Sequence, residues 1–261
     1  MGDYKVMTCT IVDGVAEVSI NRPESYNAIN AEVLIETARL CKEIAENKDV
    51  KAIVMGNGNE KFFAAGADIR ELVDYSPAEA DEFITLVHES INTIYNSPVP
   101  TIAAISGLCL GGGLEITLVC DFRVAADNAV FALPEINLGV LPGGGGTQML
   151  SKIIGPGKAK ELIFFGEMIN AQTALNIGLV NKVVPLADLM TEAHKMARKL
   201  TRKPPIALKM AKELINNSMA TDFSSGIIAE KKSFSKLFDT HDQKEGMKAF
   251  MENRRASFTG S

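Results

Sequence analysis

Thr101-Ile102-Ala103-Ala104-Ile105-Ser106-Gly107 runs on through Gly111-Gly112-Gly113-Leu114-Glu115. The first part is a short apolar run, the pattern of a buried strand, and a helix over roughly 113–119 comes after the glycines. Glycine lets backbone approach a ligand or a neighbouring segment where a Cβ would intrude. A carboxylate at the end of such a junction, Glu115, is placed to move a proton. A bare N–H beside it can meet developing negative charge. The same pairing recurs downstream in Leu133-Pro134-Glu135, just ahead of Gly139-Val140-Leu141-Pro142-Gly143-Gly144-Gly145-Gly146-Thr147-Gln148. Two glutamates beside two glycine clusters read as an acid–base site.

Outward from these blocks, the first two-thirds of the chain alternates strands with helices. Thr8–Val12 and Val15–Ile20 flank Asp13-Gly14, a strong hairpin signal. Asn30 is placed to cap a helix over 31–47. Lys51–Met55 reads as a buried strand ending in Gly56-Asn57-Gly58. Ser76-Pro77-Ala78-Glu79 combines a cap, a proline at the first helical position and a glutamate three residues on, so a helix is expected over about 77–96. Its apolar stripe is Phe83, Ile84, Val87, Ile91 and Ile94, most simply core packing. Strands are expected near 122–126 and 129–132. Beyond Pro156 the pattern is helical over 157–165, 171–177, 186–202, 205–217 and much of 222–255, with Leu179–Val184 as a strand. These spacings predict an α/β core over 1–200 with a helical C-terminal region over 201–261.

Composition narrows the function classes. Hydrophobic residues make up 46% of the 261 and charged residues 23%, with a formal net charge of −5. That balance argues for neither nucleic acid nor a membrane surface as a partner. No apolar run approaches the ~18 residues of a membrane span. The N-terminal Met-Gly-Asp-Tyr-Lys-Val lacks the apolar stretch of a secretory signal, so a cytoplasmic location is expected. Cys9, Cys41, Cys109 and Cys120 lack metal-ligand or redox spacing and read as reduced, buried thiols. His88, His194 and His241 fall in expected helices, without ligand spacing, and read as surface or helix-packing residues. The basic residues gather late, from Arg198 to Arg255, mostly as solvated helix faces. Gly157-Lys158 is followed by Ala159, which excludes a P-loop, and Gly111/Gly113 and Gly144/Gly146 lack the third glycine of a dinucleotide fingerprint. The nucleophile elbow G-x-S-x-G is absent. Proton chemistry falls to the glutamates.

A third glycine passage, Ala65-Gly66-Ala67-Asp68-Ile69, completes a pattern. With the Ile105–Glu115 and Pro134–Gln148 blocks it resembles the crotonase family of acyl-CoA enzymes. Asn21-Arg22-Pro23 with Asn27-Ala28, Gly178-Leu179-Val180 through Val184-Pro185, and Glu245-Gly246 through Arg254-Arg255 match further family blocks, in order, over nearly the whole chain. The resemblance implies an α/β crotonase-like spiral of β-β-α repeats, with a C-terminal helical region forming a homotrimer or a homohexamer of two trimers. It implies an acyl-CoA thioester substrate and no cofactor or metal, coenzyme A being part of the substrate. The thioester oxygen would be met by the N–H groups of Ala67 and Gly112, the substrate by Ala28, Ala65, Asp68, Ile69 and Gly143, and the stripe on the 77–96 helix would lie near the acyl pocket. Carboxylates at both Glu115 and Glu135 resemble the members that hydrate 2-enoyl-CoA, with Glu115 as base and Glu135 as acid. Isomerases or other acyl-CoA lyases and hydrolases of the fold are the alternative; a non-catalytic acyl-CoA or RNA binder is a third. The chain departs from the common pattern at Leu133, where many members place glutamine beside the expected acyl wall, and at Met149, where arginine is common.

Overall fold

A computed structural model of the chain describes residues 2–56 and 59–261; Asn57 and Gly58, the end of the turn expected after Met55, lie outside the described residues. The strands in chain order are β1 (Met7–Val12), β2 (Val15–Ile20), β3 (Ala52–Met55), β4 (Phe62–Ala64), β5 (Thr101–Ile105), β6 (Leu108–Leu110), β7 (Phe122–Ala126), β8 (Val130–Ala132), β9 (Ile169–Asn170) and β10 (Lys182–Val184). β1 and β2 form the expected hairpin, with Asp13 and Gly14 both at positive φ, as a tight two-residue turn requires.

The other strands wind as a spiral. Each turn gives one strand to a six-stranded sheet, ordered β1-β2-β3-β5-β7-β10, and one to a four-stranded sheet, ordered β4-β6-β8-β9. Thus β3, β5 and β7 stack in parallel register, Ile53 opposite Thr101 and Ile102 opposite Phe122. β4, β6 and β8 do the same, with Phe62 opposite Leu108 and Leu108 opposite Val130. Gly107 turns the corner between β5 and β6 at a φ of +59°. A Cβ there would fall 2.1 Å from the Lys61 carbonyl carbon, so no other residue fits.

The helices are α1 (Ala31–Glu46), α2 (Ile69–Leu72), α3 (Pro77–Tyr95), α4 (Gly112–Leu118), α5 (Gly146–Ile154), α6 (Pro156–Phe165), α7 (Ala171–Asn176), α8 (Leu189–Leu200), α9 (Pro205–Ser218), α10 (Phe223–Leu237) and α11 (His241–Met251). Asn30 caps α1 by accepting from Val33 N–H, and Ser76 with Glu79 closes a complete capping box on α3, as the sequence predicts. The main core lies among the two sheets, α1, α3 and α4; Leu40, Ile44, Ile105, Leu114, Phe131 and Leu150 are among its fully buried side chains. A smaller core packs Leu189, Ala193 and Ala197 of α8 onto the far face of the larger sheet.

Besides the short β4, β6, β9 and α2, which the sequence pattern does not mark, three elements differ from expectation. Leu179–Val184 is extended only over Lys182–Val184. Leu179 N–H bonds back to the Ala174 carbonyl as a helix end, and the Leu179 carbonyl accepts from the buried Arg123 Nε at 2.7 Å. The helix expected over 222–255 breaks into α10 and α11, because Thr240 caps a new start by accepting from Gln243 N–H. α5 begins at the last glycine of the 143–146 run, where glycines hide a helix from propensity. The outer helices α9 and α10 bury no residue fully; side-chain ties such as Lys212 Nζ to Asp121 Oδ2 at 2.9 Å join α9 to the core.

Candidate active site

The glycine junction after β6 starts α4, which carries Glu115 one turn in, on its buried face. Glu115 is 4% exposed. Its Oε1 accepts from Gly146 N–H at 2.8 Å, the first amide of α5. Two glycines make this approach possible. A Cβ on Gly144 would fall 2.7 Å from Glu115 Oε2, and one on Gly146 would fall 2.9 Å from Oε1. Burial pushes the Glu115 carboxyl up to about 7; the Gly146 and Gly144 amides pull against this, while the nearby Glu135 charge adds to it.

Glu135 arrives on a short 3₁₀ turn, Pro134–Leu138. It is half-buried, its Oε1 lies 3.1 Å from where a Gly111 Cβ would be, and its Oε2 is buried with no hydrogen-bond partner among the described residues. Burial raises its carboxyl above the usual range. A buried oxygen without a partner is costly unless a ligand, water or a proton meets it.

Both carboxylates line one cavity of about 780 Å³. Ala67 and Gly112 line it too, at the same end. A Cβ on Gly112 would lie 3.9 Å from Ala67 N. Gly112 N–H belongs to the first turn of α4, so no helical carbonyl is available to it. Ala67 forms a parallel bridge with Ile29 through the Gly66 carbonyl and Asp68 N–H, which turns its own N–H to the opposite side. The two residues therefore stand side by side on the cavity wall.

Of the other residues singled out in the sequence, Ala65, Ile69 and Gly143 line the cavity. Ala28 and Asp68 stand behind its wall: the Ala28 carbonyl accepts from Arg22 Nη1 at 2.6 Å, and Asp68 pairs with Arg70 and Arg22. Arg70 first, and Arg22 after it, hold the Asp68 carboxyl below the usual range. Leu133 is not on the cavity wall. It is fully buried in the core, its Cδ1 3.1 Å from a Gly146 Cβ position, so it presses on the loop that holds Glu115 and not on an acyl chain. Met149 is partly buried against the core, which accounts for an apolar residue there. From α3, Phe83, Ile84, Val87 and Ile91 reach the cavity, whereas Ile94 is core only. One contact was missed from the sequence: His88, an exposed residue of α3, bonds the Gly143 carbonyl from Nε2 at 2.8 Å. Its only signal is its place on the stripe, four residues after Ile84 and three before Ile91. Among the described residues no cluster of three or more His, Cys, Asp or Glu converges as a metal site.

The enoyl-CoA hydratase/isomerase family model matches residues 10–261. The chain belongs to this family. It is 42% identical over 241 residues to the short-chain-enoyl-CoA hydratase of Clostridium acetobutylicum, covering 92% of each chain. It is 41% identical over 244 residues to the crotonyl-CoA hydratase of Syntrophomonas wolfei, covering 94% of each. The crystal structure of an enoyl-CoA hydratase from Bacillus anthracis superposes with a TM-score of 0.95 at 35% identity, covering 98% of this chain and 100% of that one. The spiral of paired sheets is thus the fold of known enoyl-CoA hydratases, as the resemblance implied.

Proposed function

We propose that the chain is an enoyl-CoA hydratase that reversibly adds water to a short-chain trans-2-enoyl-CoA, giving a 3-hydroxyacyl-CoA. Family membership and the named hydratase relatives support the reaction class. The observation that supports the mechanism is the meeting of two raised carboxyl groups with Ala67 and Gly112 in one cavity.

The thioester oxygen accepts from Ala67 and Gly112 N–H. Glu115, which the Gly144 and Gly146 amides favour as an anion, takes a proton from a water held between the carboxylates. The water oxygen bonds to C3 as the C2=C3 electrons move toward the carbonyl. The resulting enolate charge sits on the oxygen between the amides, at the positive end of α4. Glu135, whose unpartnered oxygen suits a protonated carboxyl, delivers the proton to C2. Substrate plus water balances the product, a proton passes from Glu115 back to Glu135 through solvent before the next turnover, and no metal, redox or organic cofactor enters the reaction. Ala65, Ile69 and Gly143 contact the substrate from the wall, and Ala28 and Asp68 fix that wall from behind. Double-bond isomerases of the fold often need only one of these carboxylates, so keeping both favours hydration.

The subunit is read as the spiral of 1–200 with a helical region over 201–261 that joins copies into a trimer or a dimer of trimers. The large exposed side chains Phe223, Ile228, Phe234, Phe250 and Met251 support this reading. A cytoplasmic location fits the same reading. No helix among the described residues is long and apolar enough to cross a membrane. The test of the activity is loss of the conjugated enoyl-thioester absorbance over a panel of CoA esters, with the product identified. Fastest turnover is expected on short chains; unchanged absorbance across the panel contradicts the assignment.

A further inference from the structure

One face of α3 seats directly on the glycine loop of the site. Ile84 Cδ1 lies 2.6 Å from a Gly143 Cβ position, Ile91 Cδ1 lies 3.0 Å from a Gly144 one, and His88 Nε2 is 2.8 Å from the Gly143 carbonyl. Positions 84, 88 and 91 are spaced i, i+4 and i+7, so one helical stripe makes all three contacts. The two isoleucines supply contact without direction. The imidazole supplies a directed bond, and because a carbonyl only accepts, Nε2 carries the proton in that bond.

The held loop matters because it leads into the amides that grip Glu115. Gly144 and Gly146, one and three residues beyond Gly143, supply those amides at the carboxylate. Four consecutive glycines are the least self-supporting backbone a protein can use, since each loses the most conformational freedom on ordering. Their order must come from outside the loop. We propose that His88 is a positioning residue: by bonding the Gly143 carbonyl it fixes the loop whose amides hold and orient the Glu115 carboxylate. This role rests on the reading of Glu115 as the catalytic base.

Few charged groups among the described residues stand near Glu115, and Glu135 is the one coupled to its titration. Glu135 faces it from the 3₁₀ turn and His88 stands behind the loop on α3. Residues 139–146 and Leu133 carry no charge, Glu115 is the sole charged residue of α4, and Lys152 lies in the last turn of α5. The loop amides pull the Glu115 carboxyl down, so loosening them lets it rise above about 7.

The test compares wild type with His88→Leu, which keeps bulk and removes the donor, and His88→Gln, whose amide nitrogen reaches as Nε2 does. Two readouts are taken: kcat and KM for crotonyl-CoA, and an infrared titration of the Glu115 carboxyl, assigned by its loss in Glu115→Gln. In His88→Leu the carboxyl should titrate at higher pH, and kcat should fall about fivefold or more with KM changed less, the scale of one lost hydrogen bond. His88→Gln should restore both. Because His88 is exposed, all three proteins should fold, which circular dichroism checks. A His88→Leu enzyme with wild-type kcat and an unmoved Glu115 titration overturns the proposal; so does a His88→Gln enzyme that behaves like His88→Leu. Should none of the three hydrate crotonyl-CoA while the titration still shifts and recovers, the positioning role stands and the hydratase reading fails.

Discussion

Glu115 and Glu135 face the same cavity from two kinds of backbone. The first rides on a regular helix, is 4% exposed, and is gripped by amides from a loop that only glycines can form so close to it. The second hangs from a 3₁₀ turn, half-buried, with one oxygen bonded to nothing. Both carboxyls are raised by burial, so the protein places two groups of raised proton affinity together and distinguishes them by their hydrogen bonds. Amides around Glu115 favour its anion; the bare oxygen of Glu135 favours a proton. Coupled carboxyls titrate as a pair, so their division of labour rests on these partners more than on either affinity alone.

The most direct way to break this comparison is to remove each proton carrier in turn. Glu115→Gln and Glu135→Gln should each lower kcat by about 10²–10⁴-fold, the usual contribution of a positioned acid or base, while CoA-ester binding persists. A variant retaining more than about a tenth of the rate would remove that residue from the mechanism. Next comes the pair of backbone donors proposed for the thioester oxygen. Gly112→Pro deletes an N–H at the first position of α4, where proline is tolerated, and should cost about 10²–10³-fold in kcat. Undiminished affinity for an enolate-like CoA analogue in that variant would count against the donor.

The difference in grip also predicts a pH effect on stability. The Glu115 carboxyl is raised in the folded protein, from 4.5 to about 7. Its contribution to stability is therefore fully present below about pH 4.5 and is lost as pH rises through about 7. Glutamine never ionises and escapes that loss. Glu115→Gln should gain on wild type between pH 4.5 and 7 by an amount of order 3 kcal/mol, then stay level. Thermal melts across that range check the sign; a gain that appears on acidification contradicts the burial argument. Smallest of all should be Gly143→Ala. Its added methyl meets only the movable tip of Ile84, so kcat should fall less than about tenfold.

The contrast between the two carboxylates also shows which features are legible in the residues alone. The hairpin at Asp13-Gly14, the caps at Asn30 and Ser76, and the glycine junction before Glu115 are written in local residues, and the structure has each. The pairing of Glu115 with Glu135 is legible in the glycine clusters beside each, and the joining of the further blocks to them only through the family pattern. Features that stayed hidden depend on the third dimension. Short strands such as β4 and β6 have too few residues to show a period. The helix after Gly146 hides behind the glycines that allow it. The family pattern puts Leu133 beside the acyl wall, but it lies beneath the loop, in the core. His88 looks like any exposed helix residue until the carbonyl of Gly143 is seen beside it.

The central claim, that both carboxylates work on one water, is tested most directly by the fate of that water. Wild-type protein incubated with crotonyl-CoA in ¹⁸O-labelled water should give 3-hydroxybutyryl-CoA carrying the label at C3, because attack there makes the enolate that the proposed donors, Ala67 and Gly112, would hold. A product whose double bond has only moved, with no labelled hydroxyl, would contradict the account.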